Sequence, residues 1–324
     1  FMGMKTYGIL ALNTTNHTHE LYVPNTSFQN EFHALTVTSN GYLAAVTQLG
    51  LTIVKNGLNY NLFSYPGFKN YPKNHEQSHF KNQSLLYKAG SHIPISIIEK
   101  YNGNLFYGNS GLNPKEYWYS FPGVIELDLS NYNLTTFDST DAVIDGRWGI
   151  NNEGSFSHKM LINQISQDFN HNIWIINPYC EKNGNMIAIQ SADDDSWSHV
   201  SIPDSSSFRP QTVAFDNSRR AWVGFAYEAL ESRIYSDGGV KVFDPSDSSW
   251  IAIDNPEKLP GDESQASVWS LVFDDMNFLW VMNEKGIRGY EYSINDNTIT
   301  LDPILEYQDG TALDLLAHVS YTKG

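Results

Sequence analysis

The chain has 324 residues, 41% hydrophobic and 17% charged, so it belongs with globular rather than disordered sequences, and its length suits a repeat architecture built as one unit. A formal charge of −16 with no basic stripe argues against DNA, RNA or an anionic membrane surface as a partner. Cys180 is the sole cysteine, which excludes an intramolecular disulfide and any site made of several thiolates, and no run of about 18 apolar residues is present to span a membrane as a helix.

In chain order, residues 8–23 read as a strand pair preceded by a strand near Met4. Residues 34–46 and 95–107 each read as strand, polar turn and strand, with Asn40-Gly41 and Asn102-Gly103 supplying the turns. Three later copies carry an Asp in the turn and a Trp six residues on: Asp168 to Trp174, Asp216 to Trp222 and Asp274 to Trp280. Ala44 and Phe106 occupy the Trp position in the two earlier copies. A turn Asp can accept hydrogen bonds from its own backbone, and a Trp opening the next strand has the area to pack between adjacent sheets. Each pair is followed by a second, at residues 51–63, 123–137, 186–202, 239–253 and 287–301.

Five internal units and one composite give six four-stranded blades. Met4-Lys5-Thr6-Tyr7-Gly8-Ile9 aligns with Met282-Asn283-Glu284-Lys285-Gly286-Ile287 without a gap, so the closing blade is expected to take three strands from the N-terminus and one from the C-terminal residues 317–324. Such a split blade pairs the two ends in one sheet and hides edge strands. The expected fold is an all-β, six-bladed β-propeller, one domain over residues 1–324, with a seventh blade if residues 65–94 hold a degenerate copy. Because Phe1 is no natural start, the chain is expected to belong to a longer exported protein.

The sequence of apolar strand, Asp-rich turn, Trp-Val or Trp-Ile, then Gly-Val-X-Val-Phe-Asp resembles the two-component-regulator type of propeller repeat, over residues 161–304 and more weakly elsewhere. The resemblance implies a β-propeller. It also implies a role in sensing or surface assembly, since such repeats occur in extracytoplasmic sensor regions of hybrid histidine kinases and in a surface propeller protein of type IX secretion. The Gly-Thr that commonly follows the Trp-Ile pair is replaced here by Ile176-Asn177, Gly224-Phe225 and Met282-Asn283.

In a four-stranded blade the link between the second and third strands, and the link to the next blade, emerge at one end. The long segments of this chain all fall there: residues 65–94, 109–122, 139–158, 177–185, 226–238 and 255–267. Long loops on a rigid scaffold are where binding usually resides. The candidate ligand- or partner-binding residues are Tyr117, Trp118, Tyr119, Arg147, Trp148, His158, Tyr179, Glu181, Tyr227, Glu228, Arg233 and Tyr235. Aromatic platforms beside Arg and Glu suit a protein partner, a peptide or a glycan.

No catalytic residue, metal or cofactor is assigned. His75-Glu76-Gln77-Ser78-His79 matches a zinc-protease pattern, but that chemistry needs a helix with an apolar face, and the surroundings are short and polar. Asp193-Asp194-Asp195 lacks the glycine and distal Glu of a calcium loop and reads as a solvated turn. The expected function is a non-enzymatic binding module of an exported protein, periplasmic or at the cell surface. The rivals are a glycan hydrolase or lyase using carboxylates or His158 on the same face, and a structural spacer.

Overall fold

The computed structural model describes residues 2–4, 8–12, 19–22, 34–47, 50–56, 58–63, 94–109, 124–131, 133–137, 147–150, 156–159, 162–178, 180, 185–202, 209–230, 233–254, 266–283, 286–295 and 297–306. All regular elements among them are strands apart from isolated turns. At the N-terminus β1 (Met2–Met4), β2 (Gly8–Leu12) and β3 (His19–Tyr22) form a three-stranded antiparallel sheet in sequence order. These are the three strands expected for the closing blade; the C-terminal strand expected within residues 317–324 lies outside the described residues.

Five four-stranded antiparallel meanders follow. Sheet I holds β4 (Ala34–Val37), β5 (Leu43–Thr47), β6 (Gly50–Lys55) and β7 (Leu58–Phe63). Sheet II holds β8 (Pro94–Glu99), β9 (Leu105–Asn109), β10 (Val124–Leu127) and β11 (Leu134–Phe137). A separate hairpin, β12 (Arg147–Ile150) with β13 (Phe156–Lys159), precedes sheet III. Sheet III holds β14 (Gln164–Gln167), β15 (Ile173–Ile176), β16 (Ile187–Gln190) and β17 (Trp197–His199). Sheet IV holds β18 (Pro210–Phe215) and β19 (Ala221–Phe225), then β22 (Val240–Asp244) and β23 (Ser249–Ile253), with the hairpin β20 (Tyr227–Leu230) and β21 (Arg233–Asp237) between them in sequence. Sheet V holds β24 (Val268–Phe273), β25 (Leu279–Asn283), β26 (Gly286–Asn295) and β27 (Thr298–Glu306).

The first hairpin of each of sheets I to V closes with the same three-residue loop. At Thr38, Lys100, Asp168, Asp216 and Asp274 the N–H donates to the carbonyl four residues on, and the carbonyl accepts from the N–H three residues on. The third loop residue takes positive φ, as Gly41, Gly103, His171, Arg219 or Asn277. This is a type I turn followed by a left-handed residue. Asn-Gly therefore serves through its glycine at the left-handed position, rather than as a two-residue turn.

In sheets III to V the leading Asp makes this loop rigid. Asp168 accepts the N–H groups of Asn170 and Asn172 through Oδ1, both at 2.9 Å, and the Trp174 indole N–H through Oδ2 at 3.0 Å. Asp216 and Asp274 repeat the pattern with Trp222 at 3.0 Å and Trp280 at 2.9 Å. The six-residue spacing thus has a cause: it brings the indole back over the turn while the rest of the ring faces the next sheet.

That ring is the core of each interface. Trp174 meets Phe215 and Phe243 of sheet IV at 5.3 and 6.2 Å, and Trp222 meets Phe273 and Tyr292 of sheet V at 5.6 and 4.8 Å. Ala44 and Phe106 hold the same place toward sheets II and III. Four apolar clusters correspond to the four interfaces between consecutive sheets. The sheets approach so closely that a Cβ on Gly108 would meet Ile162 Cγ2 at 2.6 Å, and one on Gly224 would meet Val268 Cγ1 at 2.6 Å.

One pairing is not foreshadowed by the repeat. The long β26–β27 hairpin extends until β27 pairs in parallel with β23, Ala252 opposite Thr298 and Ile253 opposite Ile299, which merges sheets IV and V into one eight-stranded sheet. The Asp254 N–H continues the ladder to the Ile299 carbonyl at 2.8 Å.

Candidate functional site

The two ends of the sheets differ. Among the described residues of sheets I to V, one end carries tight turns: the three-residue loops, and the short links from third to fourth strand after β6, β10, β16, β22 and β26. At the other end two segments expected to be loops fold as hairpins. Residues 139–158 contain most of β12–β13, which runs on to Lys159, and residues 226–238 contain β20–β21. The second has a plain local cause, because Tyr227-Glu228-Ala229-Leu230 and Arg233-Ile234-Tyr235 are strand-forming runs separated by two polar residues.

These hairpins carry seven of the twelve candidate residues. In β12–β13, Arg147 lies opposite Lys159 and Trp148 opposite His158, which makes Trp148 and His158 cross-strand neighbours. In β20–β21, Tyr227 lies opposite Asp237, Glu228 opposite Ser236 and Leu230 opposite Arg233. Tyr235 is the extra residue where the register shifts, between Ile234 opposite Ala229 and Ser236 opposite Glu228. A bulge of this kind re-aims side chains and recurs next to functional sites. Tyr117, Trp118, Tyr119, Tyr179 and Glu181, and the histidines of the His75–His79 match, lie outside the described residues.

The base of β20–β21 is held firmly. The buried Ser236 hydroxyl donates to the Ala226 carbonyl and accepts the Arg209 N–H at 2.9 Å. The Tyr227 N–H donates to Ser267 Oγ at 2.8 Å, on the segment entering sheet V. Gly238 has φ of +73°, and a Cβ there would sit 2.5 Å from the Ala266 carbonyl oxygen, so only glycine lets the hairpin return against that backbone. Ser236, Gly238, Ala266 and Ser267 escaped the sequence reading; the Gly238-Gly239 pair before β22 is the one signal that marks them. The base of the preceding link is also packed, with Cys180 and Met186 buried in the interface of sheets III and IV.

Among the described residues no group of three or more His, Cys, Asp or Glu is placed to hold a metal ion. Two acids of the Asp193–Asp195 turn have assigned partners: Asp194 accepts the Ser196 N–H at 3.1 Å, and Asp195 pairs with Lys100 of sheet II at 2.5 Å. Lys100 stands where sheets III to V have Asp, with its side chain 2% exposed and its ammonium over the Phe106 ring at 5.2 Å. None of the described residues forms a helix long and apolar enough to cross a membrane.

No family model and no curated protein matches this sequence. Among solved structures it is similar to an ancestral GH74 enzyme, with a TM-score of 0.57 and 14% identity over 89% of this chain and 35% of that one. It is similar to the GH74 enzyme of Niastella koreensis at TM-score 0.51 and 12% identity, over 89% and 41% of the two chains. PorZ, an essential bacterial surface component of the type-IX secretion system of Porphyromonas gingivalis, aligns at TM-score 0.38 and 12% identity, over 80% and 38%. The two GH74 likenesses show the fold alone: an all-β fold of the propeller type. The chain spans 35% and 41% of the length of those two enzymes.

Proposed function

We propose that this chain is a six-bladed, non-enzymatic propeller module of an exported protein, closed by a C-terminal strand against β1, and that it binds a protein, peptide or glycan on its long-loop face. The observation that carries the reading is the asymmetry of the ends. Tight turns close one end of all five four-stranded sheets, whereas both hairpin extensions, with their aromatic and ionisable residues, leave from the other. Anchoring at Ser236, Gly238 and Ser267 supports a pre-organised surface, which lowers the ordering cost of binding. The resemblance of the repeats to two-component-regulator propellers supports sensing or surface assembly as the context, periplasmic or at the cell surface.

The test is a glycan and peptide array probed with the intact chain, alongside Trp148→Ala and Tyr227→Ala. A ligand class retained by the native chain and weakened about tenfold or more by these substitutions supports the reading. Binding unaffected by either removes the face from consideration. Turnover of an arrayed glycan that is lost in Glu228→Gln or His158→Ala favours the hydrolase or lyase instead.

A further inference from the structure

The opposite end of the sheets carries a second feature, independent of the long-loop face. Apart from Leu58, every large hydrophobic side chain exposed among the described residues lies on an innermost strand or on the three-residue loop that leaves it. Val37 is 65% exposed, Val272 54%, Phe169 52% and Met276 71%. The first strands β4, β8, β14, β18 and β24 follow one another side by side, so these residues share one inward edge, with Leu35 and Trp269 toward its long-loop end and Val37, Phe169, Val272 and Met276 toward the short turns. Apolar exposure confined in this way marks a contact surface.

The edge contains a cleft. Between β14, β18 and β24 a space of about 330 Å³ is lined by Phe169, Phe215, Val272 and Phe273, with Gln164 and Gln167 beside them. Its back wall is fixed, because Phe215 and Phe273 are held edge-on by Trp174 and Trp222. Most of its polar groups are committed: Gln164 accepts the Val213 N–H and donates to the Val213 carbonyl, Gln167 donates to the His171 carbonyl and Asp168 is taken up by its own turn, with the Ser166 hydroxyl also on the lining. A hydroxyl-rich sugar would find few free partners there. At the small end of ligand pockets, which run from roughly 300 to 1,000 Å³, such a cleft suits a single side chain.

The turns of this end are acidic. Asp275 is exposed on the loop that also carries Met276, and Asp193, Asp194 and Asp247 are exposed on the outer turns of sheets III and IV. Of the cations on the same loops, Lys100 pairs with Asp195 and Arg220 with Asp216 at 2.7 Å, while the exposed Arg219 donates to the neutral Asn170 side chain at 2.9 Å and keeps its charge. With −16 on the whole chain, the field at this end repels phosphate and attracts cations.

We propose that the short-turn end is a docking site for a basic segment of a partner protein, which seats one aromatic or aliphatic residue against Phe169 and Val272 and lays Lys or Arg side chains over the acidic turns. Shape supplies the anchor and charge complementarity selects the flanks. The polar stitches between sheets at this end hold the surface in place before binding. They include Ser39 to Glu99 at 2.6 and 2.9 Å and Asn217 N–H to Asn277 Oδ1 at 3.0 Å.

The test is a random-peptide display selection on the intact chain, followed by titration of synthetic versions of the enriched peptides. Phe169→Ser and Val272→Ser are the probes; both side chains are more than half exposed, and an unchanged melting temperature confirms that the variants fold. The expected result is enrichment of Lys- or Arg-rich peptides with one Trp, Phe or Leu. Either substitution should weaken binding about tenfold or more, Trp148→Ala should have no effect, and binding should fall as salt is raised. Failure to enrich such peptides, or enrichment of peptides indifferent to Phe169→Ser and Val272→Ser, overturns the proposal. So does a salt-sensitive dimer in sedimentation that these substitutions dissolve, because the occupant is then a second copy of the chain.

Discussion

Asp216 offers the sharpest test of how the sheets are joined. Its carboxylate is buried at 0% exposure and accepts the Trp222 indole N–H at 3.0 Å, the Arg220 Nε–H at 2.7 Å and the Tyr292 hydroxyl of sheet V at 3.0 Å, besides two N–H groups of its own turn. Tyr292 is tied further by the Asn277 side chain, which donates to it at 2.8 Å. Burial first, and the Asp216 carboxylate second, push the Tyr292 phenol above its ordinary pKa, so it remains a donor at any physiological pH. Asp216→Ala leaves a guanidinium whose side chain is 14% exposed and a fully buried indole N–H without their acceptor. Removing one partner of a buried pair costs about 3–5 kcal/mol. At about 2.1 cal/mol/K per residue of unfolding entropy, a chain of 324 residues loses about 4–7 °C in melting temperature for that cost.

The assay is thermal unfolding followed by circular dichroism, with Asp247→Ala on an exposed outer turn as the control. A double-mutant cycle with Tyr292→Phe then separates the turn from the inter-sheet contact: a coupling of about 0.5–1.5 kcal/mol is expected. If Asp216→Ala shifts the transition no more than Asp247→Ala does, the carboxylate is not a buried junction. If the two substitutions in the cycle simply add, the bond between sheets IV and V contributes nothing.

Trp174→Ala should lower stability by about 3–5 kcal/mol, since the ring is 1% exposed between two sheets, whereas Trp280→Ala, which truncates a half-buried ring, should cost clearly less by urea denaturation. His171 holds φ of 67° at the loop position that sheets I and II give to glycine, so His171→Gly should raise the urea midpoint by an amount worth about 1 kcal/mol; no gain would show the backbone is unstrained there. Hydrogen bonds from the Ser130 hydroxyl to Asp128 and from the Trp280 indole to Asp274 hold these carboxyls below their usual range. A depressed folded pKa gives stability that is present above the unfolded value, about 3.9, and is lost as pH falls through the folded one. The melting temperature should therefore start to fall below about pH 4, and Asp274→Asn should flatten that acid limb; an unaltered limb would rule out the Asp274 contribution.

Most of the sheet assignment is readable in the sequence because each of the five internal units states its own turn and three of them add a Trp. Asp168, Asp216 and Asp274 act within six residues, so spacing alone exposes them. What the repeat cannot state is the contact that uses residues far apart. Lys100 meets Asp195 across 95 positions, and Tyr292 meets Asp216 across 76, and neither pair has a local pattern. The β20–β21 hairpin is a different case: its strand-forming runs are visible, but a repeat template assigns residues 226–238 to a loop and so conceals them. Five of the twelve candidate binding residues lie outside the described residues, so the long-loop face is known through its hairpins.

The same repeat that makes the sheets legible also divides the work between their ends. In sheets III to V a three-residue loop tied to its own Trp cannot lengthen without breaking that tie, so this part of the short-turn end is constrained in shape. Changes at that end are limited to exposed side chains, and there the chain places Phe169, Val272 and Met276 among aspartates. The other end is free to insert, and among the described residues it does so as β12–β13 and β20–β21, the base of the latter fixed by Ser236 and Gly238. The parallel ladder from β23 to β27 adds a constraint the repeat lacks, since it locks sheets IV and V together at their outer strands. Sheet IV thus carries an inserted hairpin at one end, contributes Phe215 to the apolar cleft near the other, and is braced at its outer edge. A ligand on either proposed face would meet a sheet braced in this way, so neither proposal requires the scaffold to reorganise.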